Sequence, residues 1–249
     1  MIGIIGGTGL ENPDILKDSH DEDLTTPYGH TSSPIRIGYV GGVKVALLSR
    51  HGKQHTIPPS NVNNRANIWA LNNIGCVAII GTTACGSLRE RIGRGALVIP
   101  NQLIDFTRRR DLTFFDTFEP GKLKHTSLAN PFNDELVGLL RESVRDEGFS
   151  YSANATLITI EGPRFSTGAE SSMFRKWGAD IINMSTAPEA ILSAELGIPY
   201  ATIALVTDYD CWKDDEDPVS VDEIMKVFNN NVGKLIVVIK RFIKKFEVK

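Results

Sequence analysis

The sequence predicts an α/β fold: a single domain over residues 1–249, with a central mixed β-sheet flanked by helices. Three observations carry that reading. Continuously apolar runs at Ile2–Ile5, Cys76–Ile80 and Tyr200–Leu205 have the length of strands buried on both faces. Segments with apolar residues at helical spacing alternate with them, most clearly 133–148 and 221–246. The runs end in glycine, hydroxyl or acidic residues, and ligands of open α/β sheets bind beyond the carboxyl ends of strands.

The elements follow in order. Ile2–Ile5 is a short strand, turned by Gly6-Gly7-Thr8-Gly9, whose backbone N–H groups can cradle an anion. Residues 11–34, with three prolines, read as loop. Ile35–Tyr39 and Val43–Leu48 flank Gly41-Gly42 as a hairpin that delivers Ser49-Arg50-His51-Gly52. Arg50 and His51 suit an anion, although an exposed arginine beside a hydrogen-bonded histidine is the plainer reading of that pair alone. His55-Thr56-Ile57-Pro58-Pro59 cannot be helical, and a helix starts near Asn61, turning Ala66, Ile68, Trp69, Ala70 and Leu71 inward until Gly75. Cys76–Ile80 is a strand ending in the loop Gly81-Thr82-Thr83-Ala84-Cys85-Gly86-Ser87-Leu88.

Ala96–Ile99 and Leu103–Phe106 read as two strands joined by a turn at Pro100-Asn101. Arg108-Arg109-Arg110 reads as a solvated loop or a subunit contact, and 111–131 as a long irregular stretch rich in aromatics. After the helix at 133–148, a strand from Ala155 to Ile160 leads to Glu161-Gly162-Pro163-Arg164-Phe165-Ser166. A helix over 169–177 precedes the strand Ile181–Thr186. Pro188-Glu189 opens the next helix. The strand from Pro199 then reaches Val206-Thr207-Asp208-Tyr209-Asp210-Cys211-Trp212.

That last stretch concentrates the chemistry. In extended backbone, Asp208 and Asp210 point the same way and can aim at one object. Paired acids repel unless a donor-rich ligand, a cation or a shared proton lies between them. An acidic surface loop fits the stretch as well, since Asp214, Asp215, Glu216 and Asp217 follow. The other strand ends add hydroxyl and cationic donors, together with Met184 and Phe165. The whole inventory suits an anion plus a donor-bearing ligand with an apolar face.

Composition bounds the partners. The 249-residue chain is 41% hydrophobic and carries a formal net charge of −3, which points to neither nucleic acid nor an anionic membrane. Cys76, Cys85 and Cys211 have no metal-ligand spacing and suggest a reducing, cytoplasmic setting. Cys85 reads as a packing residue. The start lacks the basic region of a signal peptide, and no apolar run reaches about 20 residues.

Seven segments together carry a resemblance. They are Gly-Ile-Ile-Gly-Gly-Thr-Gly at 3–9, Arg-His-Gly-Lys-Gln-His at 50–55, Asn-Ile-Trp-Ala-Leu at 67–71, Thr-Thr-Ala-Cys-Gly-Ser-Leu at 82–88, Glu-Gly-Pro-Arg-Phe at 161–165, Asn-Met-Ser-Thr-Ala-Pro-Glu at 183–189 and Thr-Asp-Tyr-Asp-Cys-Trp at 207–212. In order and over nearly the whole chain, the sequence resembles the 5′-methylthioadenosine phosphorylases of the purine nucleoside phosphorylase superfamily. The resemblance implies that superfamily's fold and the conversion of methylthioadenosine and phosphate to adenine and 5-methylthioribose 1-phosphate. It implies no metal or organic cofactor, phosphate as co-substrate, and a homotrimer or a dimer of trimers. By position it assigns phosphate binding to Thr8, Arg50, His51, Thr83, Ala84 and Ser185, where Ser185 stands in place of the family's usual threonine. Phe165, Met184 and Tyr209 fall to the nucleoside, and Asp208 and Asp210 to reading and protonating the purine. Ser166 and Val221 fall to substrate preference, and Val219 and Ile224 to the methylthio pocket. His125 matches a histidine lent to a neighbouring subunit.

Two other classes compete. A phosphorylase for 6-oxopurine nucleosides or methylthioinosine shares the fold, but such members tend to carry Asn where Asp208 stands. A nucleotide binder using Gly6-Gly7-Thr8-Gly9 would bind NAD without phosphate dependence, yet the dinucleotide fingerprint and its acidic residue are missing.

Overall fold

The structure is a computed structural model describing residues 1–7, 15–213, 215 and 219–247. Its strands are β1 (Ile2–Gly6), β2 (Lys17–Glu22), β3 (Thr25–Thr26), β4 (Gly29–His30), β5 (Ile35–Val40), β6 (Val43–Ser49), β7 (Ala78–Ser87), β8 (Leu97–Phe106), β9 (Tyr151–Ile160), β10 (Ile181–Asn183) and β11 (Tyr200–Asp208). Its helices are α1 (Asn64–Asn73), α2 (Asp134–Asp146), α3 (Gly168–Lys176), α4 (Thr186–Glu195) and α5 (Val221–Glu247).

Nine of these strands form one mixed sheet in the order β10-β9-β8-β11-β7-β1-β6-β5-β2. β10 also pairs antiparallel with β7, so β7, β11, β8, β9 and β10 close into a ring. Cys85, Val98, Ala155, Leu157, Ile181, Ala204 and Val206, drawn from all five ring strands, pack together with Ile92. The larger core joins β1, β5, β6 and β7 to α1, α2, α4 and α5. Within it α5 packs Phe228, Leu235, Val238, Ile239 and Phe242, each at most 3% exposed. Burial of such a side chain is worth roughly 1.5–3 kcal/mol before entropy is counted.

Local signals set the boundaries. Asn133 caps α2 by accepting from Leu136 N (3.0 Å), with Asp134 and Glu135 in the first turn, where the helix dipole favours acids. Thr167 and Glu170 form a reciprocal capping box at α3. Gly41 and Gly42 both have positive φ, as a tight hairpin between β5 and β6 requires.

Four expectations are corrected. β2 lies in the stretch expected to be loop. Its residues are polar and mostly exposed because it forms the sheet edge, where polar side chains discourage further pairing. Residues 82–87 belong to β7, because β11, and at the end β10, supply backbone partners along them. β8 is one strand: β9 follows it across Pro100, and the ladder absorbs the missing N–H as a register shift. Trp69 is half-buried, whereas Ala66, Ile68, Ala70 and Leu71 are buried as expected.

Candidate active site

The strand ends surround a cavity of about 720 Å³, within the roughly 300–1,000 Å³ of small-molecule sites. β6 delivers Arg50 and His51, and β7 delivers Thr83, Ala84 and Cys85. β10 delivers Ile182 and Asn183, with Met184 and Ser185 just beyond it, and β11 delivers Thr207, Asp208 and, two residues on, Asp210. Phe165, Val221, Ile224 and Met225 complete the apolar wall.

One end is basic and hydroxyl-rich. Arg50 is 2% exposed, so the surface reading of this arginine fails. Its Nε and Nη2 donate to the two carboxylate oxygens of Glu189, the second at 3.1 Å, and its Nη1 donates to Thr82 O at 2.9 Å. His51 Nδ1 lies 2.9 Å from Ile57 O. A carbonyl only accepts, so Nδ1 carries the proton and the ring is fixed in orientation. Thr83 Oγ1 donates to Ala84 O (2.8 Å), accepts from Asn183 Nδ2 (3.2 Å) and sits 3.3 Å from Ser185 Oγ. Ser185 occupies the N-cap of α4 without using its side chain as a cap. Its hydroxyl faces Thr83 instead, beside the positive end of the helix dipole. Hydroxyls, a guanidinium and a helix N-terminus converging here can hold a phosphate.

The other end is acidic. β11 stops at Asp208, and Asp210 is not extended: its φ is +50°. The two side chains meet because Asp210 N folds back to donate to Asp208 Oδ1 at 2.8 Å, so the expected i, i+2 alignment is replaced by a turn. Thr207 Oγ1 donates to Asp208 Oδ2 at 2.8 Å. Burial pushes the Asp208 carboxyl above the usual range, against the pull of these two hydrogen bonds. Burial pushes Asp210 up as well; the Ser171 and Ser166 hydroxyls oppose this and the Asp208 charge reinforces it. Gly86 makes the arrangement possible, because a Cβ there would come within 2.7 Å of Asp208 Oδ1. Cys85 also borders the cavity, but burial pushes its thiol far above the range of a nucleophile, in keeping with a packing role.

Met184 and Phe165 line the same cavity. Arg110, expected in a solvated loop, has a side chain only 2% exposed. It donates to Glu161 Oε1 (2.9 Å), Glu161 O (2.6 Å) and Met184 O (3.1 Å), and so ties the wall together. Arg50, His51, Thr83, Ala84, Phe165, Met184, Ser185, Asp208, Asp210, Val221 and Ile224 thus share one cavity. Ser166 is buried outside the lining, near Asp210. Val219 is half-buried and also outside it. Tyr209 points elsewhere: its ring packs against Lys213 Nζ at 4.4 Å and Trp212 at 6.0 Å. His125 is exposed beside Phe118, away from the cavity, and Thr8 lies outside the described residues. The sequence reading missed Asn183, Arg110, Glu189 and Tyr200. Glu189 did carry a signal, as an acid among apolar residues of a helix that must be buried.

A nine-stranded mixed sheet with a cavity running from anion donors to paired acids defines a class, and the comparisons agree with it. The phosphorylase superfamily matches residues 1–244. The S-methyl-5′-thioadenosine phosphorylase of Xenopus tropicalis is 50% identical over 237 residues, covering 94% of this chain and 84% of that protein. That of Danio rerio is 49% identical over 236 residues, with the same coverage. The structure of the methylthioadenosine phosphorylase from Schistosoma mansoni in complex with adenine superposes with a TM-score of 0.94 at 37% identity, over 100% of this chain and 92% of that one. The methylthioadenosine phosphorylase from an antarctic soil metagenomic library gives 0.92 at 41% identity, over 100% and 86%. The chain belongs to the phosphorylase superfamily and, within it, to the S-methyl-5′-thioadenosine phosphorylase family.

Proposed function

We propose that this chain catalyses phosphorolysis of 5′-methylthioadenosine, giving adenine and 5-methylthioribose 1-phosphate for purine and methionine salvage. The observation that carries the reading is that one cavity is lined by anion donors beside Thr83, by two carboxyls beside Gly86, and by the apolar Met184 and Phe165. Phosphate binds at Arg50, His51, Thr83, Ala84 and Ser185, and the resemblance adds Thr8 to this set. The purine lies against Asp208 and Asp210, and the methylthio group against Val221 and Ile224. As the C1′–N9 bond breaks, its electron pair goes to the base, and the held phosphate stabilises the cationic sugar before its oxygen attacks C1′. Asp208, whose neutral form burial favours, gives its proton to N7. Asp210 accepts from the 6-amino group, and a 6-oxopurine would set lone pairs against it.

Inorganic phosphate is the co-substrate, and the reaction as written calls for no metal or organic cofactor. The reading includes a cytoplasmic homotrimer or dimer of trimers, with His125 lent to a neighbouring site. Base release from methylthioadenosine, methylthioinosine, adenosine and inosine, each with and without phosphate, tests it. Phosphate-dependent adenine release, fastest from methylthioadenosine, is expected. Faster hypoxanthine release would overturn the roles of Asp208 and Asp210, and no phosphate dependence would overturn the phosphorylase reading.

A further inference from the structure

Behind Arg50 lies a buried network that the reaction as drawn does not use. Glu189 is 1% exposed and grips the guanidinium with both oxygens. Tyr200 Oη donates to Glu189 Oε2 at 2.7 Å. Thr82 O takes a third side of the guanidinium, and Thr82 Oγ1 accepts from Gly7 N at 3.3 Å and donates to Ile5 O at 3.2 Å. The groups come from β7, α4, β11 and the residue after β6. Two glycines leave room for them. A Cβ at Gly7 would collide with Arg50 Nη1, and one at Gly81 would collide with Tyr200 Oη and come within 3.0 Å of Glu189 Oε2. These strands therefore lack side chains where the guanidinium and the phenol pass.

Fold stability does not explain such an assembly. A buried ion pair recovers little more than its desolvation cost, and apolar side chains of similar volume serve a core as well. What an apolar substitute cannot supply is a guanidinium held in one orientation at the cavity wall. Glu189 engages Nε and Nη2, the edge that fixes the plane of the fork, while Thr82 O fixes the rotation of Nη1.

We propose that Glu189 and Tyr200 are positioning residues for phosphate: they orient Arg50 and so set phosphate affinity without touching either substrate. The proposal rests on the phosphorolysis reading. Glu189→Gln tests it most directly, because the amide NH₂ then faces a guanidinium nitrogen, donor against donor, and displaces the fork. Tyr200→Phe is the milder probe: it keeps the ring and deletes one donor to Glu189. Full-length variants are assayed with phosphate varied at saturating methylthioadenosine, and then the reverse. Binding of inorganic phosphate is read separately from its protection against thermal unfolding. Val238→Ala in α5 is the control for plain destabilisation, since Val238 is buried in the same core but neither lines the cavity nor carries a polar group that could bond to Arg50 or Glu189.

The expected result is a rise in the phosphate KM of ~10-fold or more in Glu189→Gln and ~5-fold in Tyr200→Phe, the scale of one charge-assisted hydrogen bond. The nucleoside KM stays within about twofold, thermal protection by phosphate weakens in parallel, and Val238→Ala leaves the phosphate KM unchanged. An unchanged or lowered phosphate KM in Tyr200→Phe, or equal rises in both KM values, would overturn the proposal while leaving the phosphorylase reading intact. A wild-type protein with no phosphate dependence would remove both.

Discussion

The two ends of the cavity are built on opposite principles. At the basic end, Arg50, Thr83, Asn183, Glu189 and Tyr200 are tied by hydrogen bonds within the protein. The groups ride on strands and on a helix terminus. At the acidic end, Asp210 Oδ2 has no hydrogen bond of good geometry among the described residues, the buried Ser166 and Ser171 hydroxyls act on it from outside the lining, and Asp210 sits in a turn at positive φ. Buried polar atoms normally find partners, and exceptions call for an explanation. The contrast teaches that the basic end is pre-organised in the bare fold, whereas the acidic end, on the proposed reading, is completed by the purine. Rigidity suits an electrostatic stabiliser, which must not reorganise when charge develops. Unpartnered acceptors suit selection, because only a base with matching donors satisfies them.

The sharpest way to break this comparison is at Arg50. If the basic end is part of the fold, Arg50→Ala leaves Glu189 as a buried, uncompensated charge and costs ~3–5 kcal/mol of stability along with activity. Denaturant unfolding measures this. Removing Glu189 as well recovers much of the loss, because breaking a buried pair costs more than deleting it. A stability loss under about 1 kcal/mol in Arg50→Ala would mean that the guanidinium is not locked into the fold.

The acidic end predicts the opposite balance. Asp208→Asn lowers kcat by ~10²-fold or more through loss of the proton donor, yet it raises the melting temperature near neutral pH. The sign follows from linkage. Burial raises the Asp208 carboxyl above its ordinary 3.8, so the native state binds the proton more tightly than the unfolded chain. The native state gains from that difference below pH 3.8 and loses the gain as pH rises through the elevated value. The advantage of Asn over Asp should therefore be small in acid and grow toward neutrality, as thermal unfolding of both proteins across pH would record. A pH-independent difference would assign the effect to packing.

The same contrast explains what the sequence could say. The hairpin at Gly41-Gly42, helix α2 with its Asn133 cap, and the long amphipathic α5 are local signals, and they stand where expected. The far half of β7 is hidden in one dimension because Thr82, Thr83 and Gly86 look like loop residues, while their strand character comes from the neighbours β11 and β10. Arg50 and Asp208 could be singled out by type and by position at strand ends. Their partners could not: Glu189 and Tyr200 lie 139 and 150 positions from Arg50, and only the folded sheet brings them together. The geometry of Asp210 was equally hidden, because an extended strand and a tight turn can both aim it at Asp208.

Ser171 offers the finest test of the difference between the ends. It lies on α3, fully buried, with a hydroxyl that has no partner of good geometry among the described residues, yet that hydroxyl is the leading influence opposing the rise of Asp210. Ser171→Ala should change stability by no more than about 0.5 kcal/mol, since no established hydrogen bond is lost. Its effect should fall on the ionisation of Asp210. Without the hydroxyl the Asp210 carboxyl rises further, so the ionised form, which on the proposed reading accepts from the 6-amino group, appears only at higher pH. Adenine release should then match the wild type in alkaline solution and fall several-fold behind it as the solution is acidified, moving the acid limb of the rate profile upward. A loss of equal size at every pH would make Ser171 a packing residue, and the acidic end would then owe its selectivity to shape alone.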